Sequence, residues 1–453
     1  MPTGPSTYRG KFQYLAAGGA ATQQGACQIQ FDQEKFTLAP ETGAALVFDL
    51  GDADALIAAD YEIRLPLYTG NTVLLQQFGK SYQDLSRELL EDYRKRTLQC
   101  LLLSDMEELD RFTGGFTFET AGAAPVSGPA EIRLFKSNVA VLPTTFQAFQ
   151  WRLADLTAFR FDAQNYEIVL ERDGDRLSLN RLAKRTELLQ TKLREALDTL
   201  HAEGGEALHA ILPFLNPDQL QAAQQLLPEG HSASLSKLAA VHPRIPEALA
   251  KNAVDDKLKP YYDELLRRSL KDSAAAGFKL IRLDDQAAAG LLPEGAPGAS
   301  EDDTEGESES TAGMPDADAG APEVLYWFFF PIAAKYGSSS NVVAWEASSR
   351  SGRATYFFRL TDPADTPQLA HPATALERGI ARITRVLGML NFRRRPIYLS
   401  DNELTGKPEF HRYAIAARKI ADVRMVRTAF LGRAIHSSLD TWRGQVDAIL
   451  NKA

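Results

Sequence analysis

The N-terminal part of this chain carries one residue pattern twice, and that duplication constrains the fold more than any other feature. Gly10-Lys11-Phe12-Gln13-Tyr14 returns as Gly114-Gly115-Phe116-Thr117-Phe118. Phe31, Phe36, Leu38 and Pro40 return as Leu134, Val139, Val141 and Pro143. Leu50-x-Asp52 returns as Leu153-x-Asp155, and Tyr61-Glu62-Ile63 as Tyr166-Glu167-Ile168. The offset stays between 103 and 105, so the copies differ by gaps of the size that turns absorb. A period this long exceeds that of a solenoid unit and fits a duplicated domain.

Within each copy the apolar pattern alternates over several short segments, such as Phe36/Leu38 and Ile63/Leu65/Leu67. Alternation of this kind predicts half-buried strands. Gly70-Asn71 and Asp173-Gly174 occupy the same place in the two copies, between alternating segments, which predicts a hairpin in each. The period then changes. Leu85, Leu89 and Tyr93 recur at helical spacing, as do Leu189, Leu193 and Leu197. Each copy therefore reads as a strongly bent antiparallel sheet closed by one amphipathic helix. Over residues 10 to 205 this order resembles the pleckstrin-homology-like superfold. The resemblance implies two small β-barrels and a groove beside the C-terminal helix where a peptide could dock. It also directs attention to the first-hairpin loops, where phosphoinositide head groups are bound by clustered Lys and Arg. Leu15–Ala26 and Glu119–Ala130 contain no basic residue, so that lipid site is not expected here.

The sequence predicts an α+β multidomain chain. A first barrel module covers 1–108 and a second 109–205. A helical connector over 206–275 is punctuated by Pro213, Pro217, Pro228, Pro243, Pro246 and Pro260. A strand over 276–286 is assigned to the C-terminal module. Residues 287–322 read as an acidic disordered linker or loop, with eight acidic and no basic residues between Glu301 and Asp318. Residues 323–453 read as a basic α+β module, a C-terminal antiparallel sheet with helices packed on one face. Its core strand is Val324–Phe330, and Leu376, Ile380, Ile383 and Leu387 make one helix face. From Pro408 a long helix pair is predicted.

Charge is unevenly spread. The net −9 divides into +8 for 323–453, from 19 basic and 11 acidic residues, and −17 for the rest. Nucleic-acid binding by the whole chain is disfavoured by that sign, and the C-terminal part alone stays eligible. Two cysteines, Cys27 and Cys100, rule out a disulfide framework and a four-cysteine zinc site and read as buried thiols. No apolar run has the length of a membrane span, and a cytoplasmic location is the default expectation.

No motif points to catalysis. Gly79-Lys80-Ser81 resembles the end of a phosphate-binding loop, but position 74 is Leu where that loop needs its first glycine, so a helix start is predicted. Gly230-His231-Ser232-Ala233-Ser234 resembles a nucleophile elbow without its last glycine or a preceding strand, and reads as a helix–helix connection. None of the seven histidines forms a metal pair at helical spacing. Asp52-x-Asp54 reads as solvated turn carboxylates. No catalytic, metal or cofactor-binding residue is assigned, and no cofactor is expected. The candidate anion-binding residues are Arg393, Arg394, Arg395, Arg412, Arg418 and Lys419. The reading of function is a non-catalytic interaction or scaffold protein that binds a protein or peptide. One alternative is peripheral binding of an anionic membrane or nucleic acid through 323–453. Another is an enzyme with its site there, using Glu346, His411 or Arg393.

Overall fold

The structure, a computed structural model, describes residues 6–281, 323–333, 341–348, 354–360 and 372–452, except 33, 105 and 121. The acidic segment 287–322 lies outside the described residues. Contacts divide the chain into two compact units, one drawn from 1–200 with 401–421, the other from 201–400 with 422–453.

The first unit holds the duplication as two seven-stranded antiparallel sheets. In the first copy β1 (Ser6–Leu15), β2 (Ala21–Phe31), β3 (Lys35–Pro40), β4 (Leu46–Asp49), β5 (Ile57–Ala59), β6 (Glu62–Pro66) and β7 (Thr72–Gln76) pair in the order β4-β3-β2-β1-β7-β6-β5. Helix α1 (Tyr82–Cys100) follows. The second copy repeats this order with β8 (Glu108–Glu119), β9 (Val126–Phe135), β10 (Asn138–Pro143), β11 (Phe149–Arg152), β12 (Ala158–Asp162), β13 (Glu167–Arg172) and β14 (Asp175–Asn180), followed by α2 (Thr186–Ile211). Register repeats too: Phe12 lies opposite Leu75, and Phe116 opposite Leu179. The order ends at two unpaired strands in each copy, so both sheets are open rather than closed barrels.

Left-handed backbone recurs at matched positions. Gln77 and Arg181 have φ of 59° and 54°, and Gly79 and Ala183 have 54° and 51°. At the predicted hairpin Asp173 and Gly174 have φ of 52° and 90°, the geometry a tight two-residue turn requires. Gly79–Ser81 is a 3-10 turn leading into α1, so the phosphate-loop look-alike is a helix start. Phe12, Ile29, Phe36, Leu38, Ile63 and Leu75 close over Leu85, Leu89 and Tyr93 of α1. Phe116, Ile132, Val139, Val141, Ile168 and Leu179 close over Leu189 and Leu193. The two copies meet through a smaller cluster, Leu98, Leu101 and Leu103 against Phe135, Ala140 and Leu142.

The second unit is one six-stranded antiparallel sheet, β15 (Ser232–Ser234), β16 (Ala275–Ile281), β17 (Glu323–Ala333), β18 (Asn341–Ala347), β19 (Ala354–Arg359) and β20 (Phe430–Ile435), paired in chain order. Tyr326, Phe328, Phe330 and Ile332 of β17 enter a core with Leu238, Ile245, Leu249, Tyr262 and Leu265 from the 206–275 segment and with Trp442. The segment read as a connector thus shares the core of this sheet. The alternate residue Trp327 packs against Phe392, ring centroids 4.5 Å apart, and Ser232 bonds Thr384 on the helix Pro372–Met389. Helices cover both faces, not one, which is why the aromatic run of β17 has no polar side. Two strands escape the sequence reading. Ser232–Ser234 is a short edge strand, and β20 interrupts the predicted helix pair before the helix Leu439–Leu450. Among the described residues no helix is long and apolar enough to cross a membrane.

Candidate functional site

Residues 401–421 leave the second unit and join the first. Their helix Pro408–Lys419 docks on the first copy, where the 3-10 turn Leu50–Asp52 meets the C-terminal end of α1. The helix is rich in small residues and is buried all round over one turn: Tyr413, Ala414, Ile415, Ala416 and Ala417 are all buried. Gly51 lets it come close. A Cβ on Gly51 would lie 2.6 Å from Cys100 Sγ and 2.9 Å from both Asp49 Oδ1 and Ile415 Cδ1. The second copy has Ala154 at this position.

Polar contacts frame that apolar centre. Arg96 on α1 donates two hydrogen bonds to Asp49, one of them at 2.8 Å, and Asp49 also accepts the Gly51 N–H at 2.6 Å. Both Arg96 and Asp49 are buried, so the pair fixes the turn against α1. His411 Nδ1 lies 3.5 Å from Asp49 Oδ2. Arg418 bonds Asp52 and lies over the Tyr68 ring, 4.4 Å from its centroid. Lys419 Nζ donates to the Ala53 carbonyl at 2.5 Å, and Gln147 of the second copy donates to the Lys419 carbonyl at 3.1 Å. Burial pushes the Lys419 ammonium below its ordinary value, while Cys100, Asp54, Asp52 and Asp49 pull the other way. Burial likewise pushes the Cys100 thiol up to about 12, which makes it an inert filler. Cys27 is also buried.

The six candidate anion-binding residues do not share one unit. Arg412, Arg418 and Lys419 lie on the docked helix, engaged with Tyr413, Asp52 and Ala53 respectively. Arg393, Arg394 and Arg395 belong to the second unit, half-buried, with Arg394 5.8 Å from the ring centroids of Trp345 and Tyr356. Asp52-x-Asp54 is not a solvated pair: Asp52 holds Arg418, and burial raises the Asp54 carboxyl. Neither Asp49 nor Arg96 stood out in the sequence, because a lone Asp before a turn and a lone Arg on a helix have no spacing signal.

Glu346 was a candidate for enzyme chemistry. It accepts the Thr355 hydroxyl at 2.7 Å, and His436 Nε2 lies 3.0 Å from that hydroxyl and 3.2 Å from Glu346 Oε2. Trp442 Nε1 donates to the same hydroxyl at 3.0 Å, and Tyr261 stacks on His436 at 4.1 Å. The Glu346 and His436 side chains are each 2% exposed, so this group ties β18, β19 and the helix Leu439–Leu450 together. Ser232 of the elbow look-alike accepts the Trp327 indole N–H at 2.8 Å and pairs with Thr384. Among the described residues no group of His, Cys, Asp and Glu has the geometry to hold a metal.

Compared with known proteins, the chain matches no protein-family model and no curated sequence.

Proposed function

We propose that the chain is a non-catalytic interaction protein built on tandem pleckstrin-like modules, and that the first module reads a helical protein segment. The strand order β4-β3-β2-β1-β7-β6-β5 followed by a single helix supports the pleckstrin-like reading. The docked helix carries the binding reading. A module face built from Gly51, Asp49, Asp52 and Cys100 accepts a helix rich in small apolar residues with a basic end, a form of helix-in-groove recognition. In this chain the ligand is supplied in cis by 408–419. An outside helix of like chemistry would have to displace it, against an effective concentration on the order of millimolar.

A labelled peptide of residues 404–421 tests this. A full-length Ile415→Glu variant undocks its own helix and leaves the face vacant. It should bind the peptide at least about tenfold more tightly than the unsubstituted chain. If the folded variant fails to bind the peptide, the face is a structural seam and the reading is lost.

A further inference from the structure

A second feature of the first unit lies at the junction of the two copies. A pocket of about 430 Å³ is walled by five cations, Arg87, Arg94, Lys95, Arg111 and Arg133, with Leu90 and Glu91 completing it. We propose that this pocket binds a small anion carrying several phosphate groups.

The two copies place the cations for different reasons. Arg94 and Lys95 lie about two turns beyond Arg87 along α1, so all three reach the same side of the helix. Arg111 and Arg133 sit directly opposite one another on β8 and β9. Like charges in that position destabilise a sheet. The first copy shows that the fold does not need them. At the same register point it has Thr7 opposite Gln30, joined by a neutral hydrogen bond of 3.2 Å. Where the first copy has a neutral pair, the second has two arginines.

Carboxylates hold the guanidiniums in place. Glu131 contacts Arg94 at 2.8 Å and Arg133 at 2.6 Å, and Glu108 contacts Arg133 and Arg111 at 3.1 Å each. Two carboxylates thus fix three guanidiniums, and the pocket wall itself presents five cations against one carboxylate, Glu91. The Arg133 side chain is only 8% exposed, so its orientation is set before any ligand arrives. Burial, with Arg133 and Arg111, pushes the Arg94 guanidinium below its ordinary value against the pull of Glu131. An anion entering the pocket relieves that repulsion. Lys95 pairs with Glu91 at 3.0 Å and lies 3.9 Å from Asp92, and Arg87 pairs with Asp84 at 2.9 Å and lies 4.0 Å from Glu88; the exposed pairs among these are screened by salt. The volume suits a small molecule. Phosphate matches the planar donor forks of arginine. The site is separate from the first-hairpin loops, which lack cations.

Titration calorimetry of the full-length chain with inorganic tripolyphosphate provides the test. Binding should be measurable at about 50 mM salt and weaker at about 150 mM. Arg87→Glu with Lys95→Glu spares the buried network and should weaken binding about tenfold or more. Arg64→Glu, an exposed reversal on the first sheet away from the pocket, should leave it unchanged. Lys95→Ala serves if the double variant fails to fold. Sedimentation with phosphatidylcholine vesicles containing phosphatidylinositol bisphosphate separates the sources of phosphate. Pelleting lost in the pocket variant assigns a lipid head group, and tripolyphosphate binding without pelleting assigns a soluble ligand. No heat with tripolyphosphate, or an equal loss in Arg64→Glu, overturns the proposal.

Discussion

Gly51, in the turn Leu50–Asp52, is a point of close approach between the docked helix and the first copy. Its substitution by Ala forces Cys100, Asp49 or Ile415 to move, because the added Cβ would meet all three within 2.9 Å. Crowding of this kind costs about 1–3 kcal/mol. Gly51→Ala should therefore speed amide exchange across 408–419 while the strands of the first sheet keep their protection. Unchanged exchange in that helix would refute the close-approach argument. In the second unit Glu264 offers a pH test. Hydrogen bonds from Arg267, and from Arg268 and Arg443, outweigh burial and bring its carboxyl from 4.5 to about 2. The folded value lies below the unfolded one. The stabilisation is therefore complete above the unfolded pKa and is lost as pH falls toward the folded one. Glu264→Gln should cost about 1–3 kcal/mol near neutrality and much less near pH ~2. Equal destabilisation at both pH values would mean that the carboxylate charge is irrelevant.

At the scale of elements, the two copies of one strand show how a duplicated pattern acquires an interface. In β3 Phe36 and Leu38 point inward, while Thr37 and Ala39 reach solvent. In β10 the outward positions Ala140 and Leu142 are buried against Leu98, Leu101 and Leu103. Leu142→Ala should cost about 2–5 kcal/mol, whereas the mirror change Ala39→Leu should be close to neutral. Equal effects in thermal melts would contradict the assigned faces. This contrast also explains what the sequence exposed. Alternation survives wherever one face of a strand is wet, so the repeats, their hairpin dipeptides and their helical stripes could be read residue by residue. The strand β20 could not. Phe430-Leu431-Gly432-Arg433-Ala434-Ile435 follows a helix and carries too few residues to distinguish strand from helix by period. Ser232–Ser234 was hidden for another reason. Its one buried residue, Ala233, gives no apolar signal, and only pairing with β16 makes it a strand. The arginine pair in the pocket was legible in principle, as a departure from the repeat, but only register places Arg111 opposite Arg133.

The whole molecule is organised by a chain that leaves its first unit at residue 200 and returns at 401. The contact between Arg418 and Asp52 spans 366 residues. Charge counts could not reveal this, because the basic residues of 401–421 look like part of the C-terminal module until their partners are known. The returning segment contributes the docked helix and Ile420, which joins the cluster between the two copies. A fragment ending at residue 200 therefore lacks part of its own surface. Its two sheets retain their separate cores, so it should fold, but with the Gly51 face and the Leu101 cluster partly uncovered. Closing so long a loop costs little more than closing a short one, about 0.6 kcal/mol per doubling, so cis docking is thermodynamically easy and trans docking is its direct measure. A peptide of residues 401–421 added at about a hundred times its dissociation constant should stabilise the 1–200 fragment by about 2.7 kcal/mol. The Arg418→Glu peptide should do so far less, since it meets Asp52 with like charge. A melting temperature that ignores both peptides would show that 401–421 rests on the first unit without stabilising it.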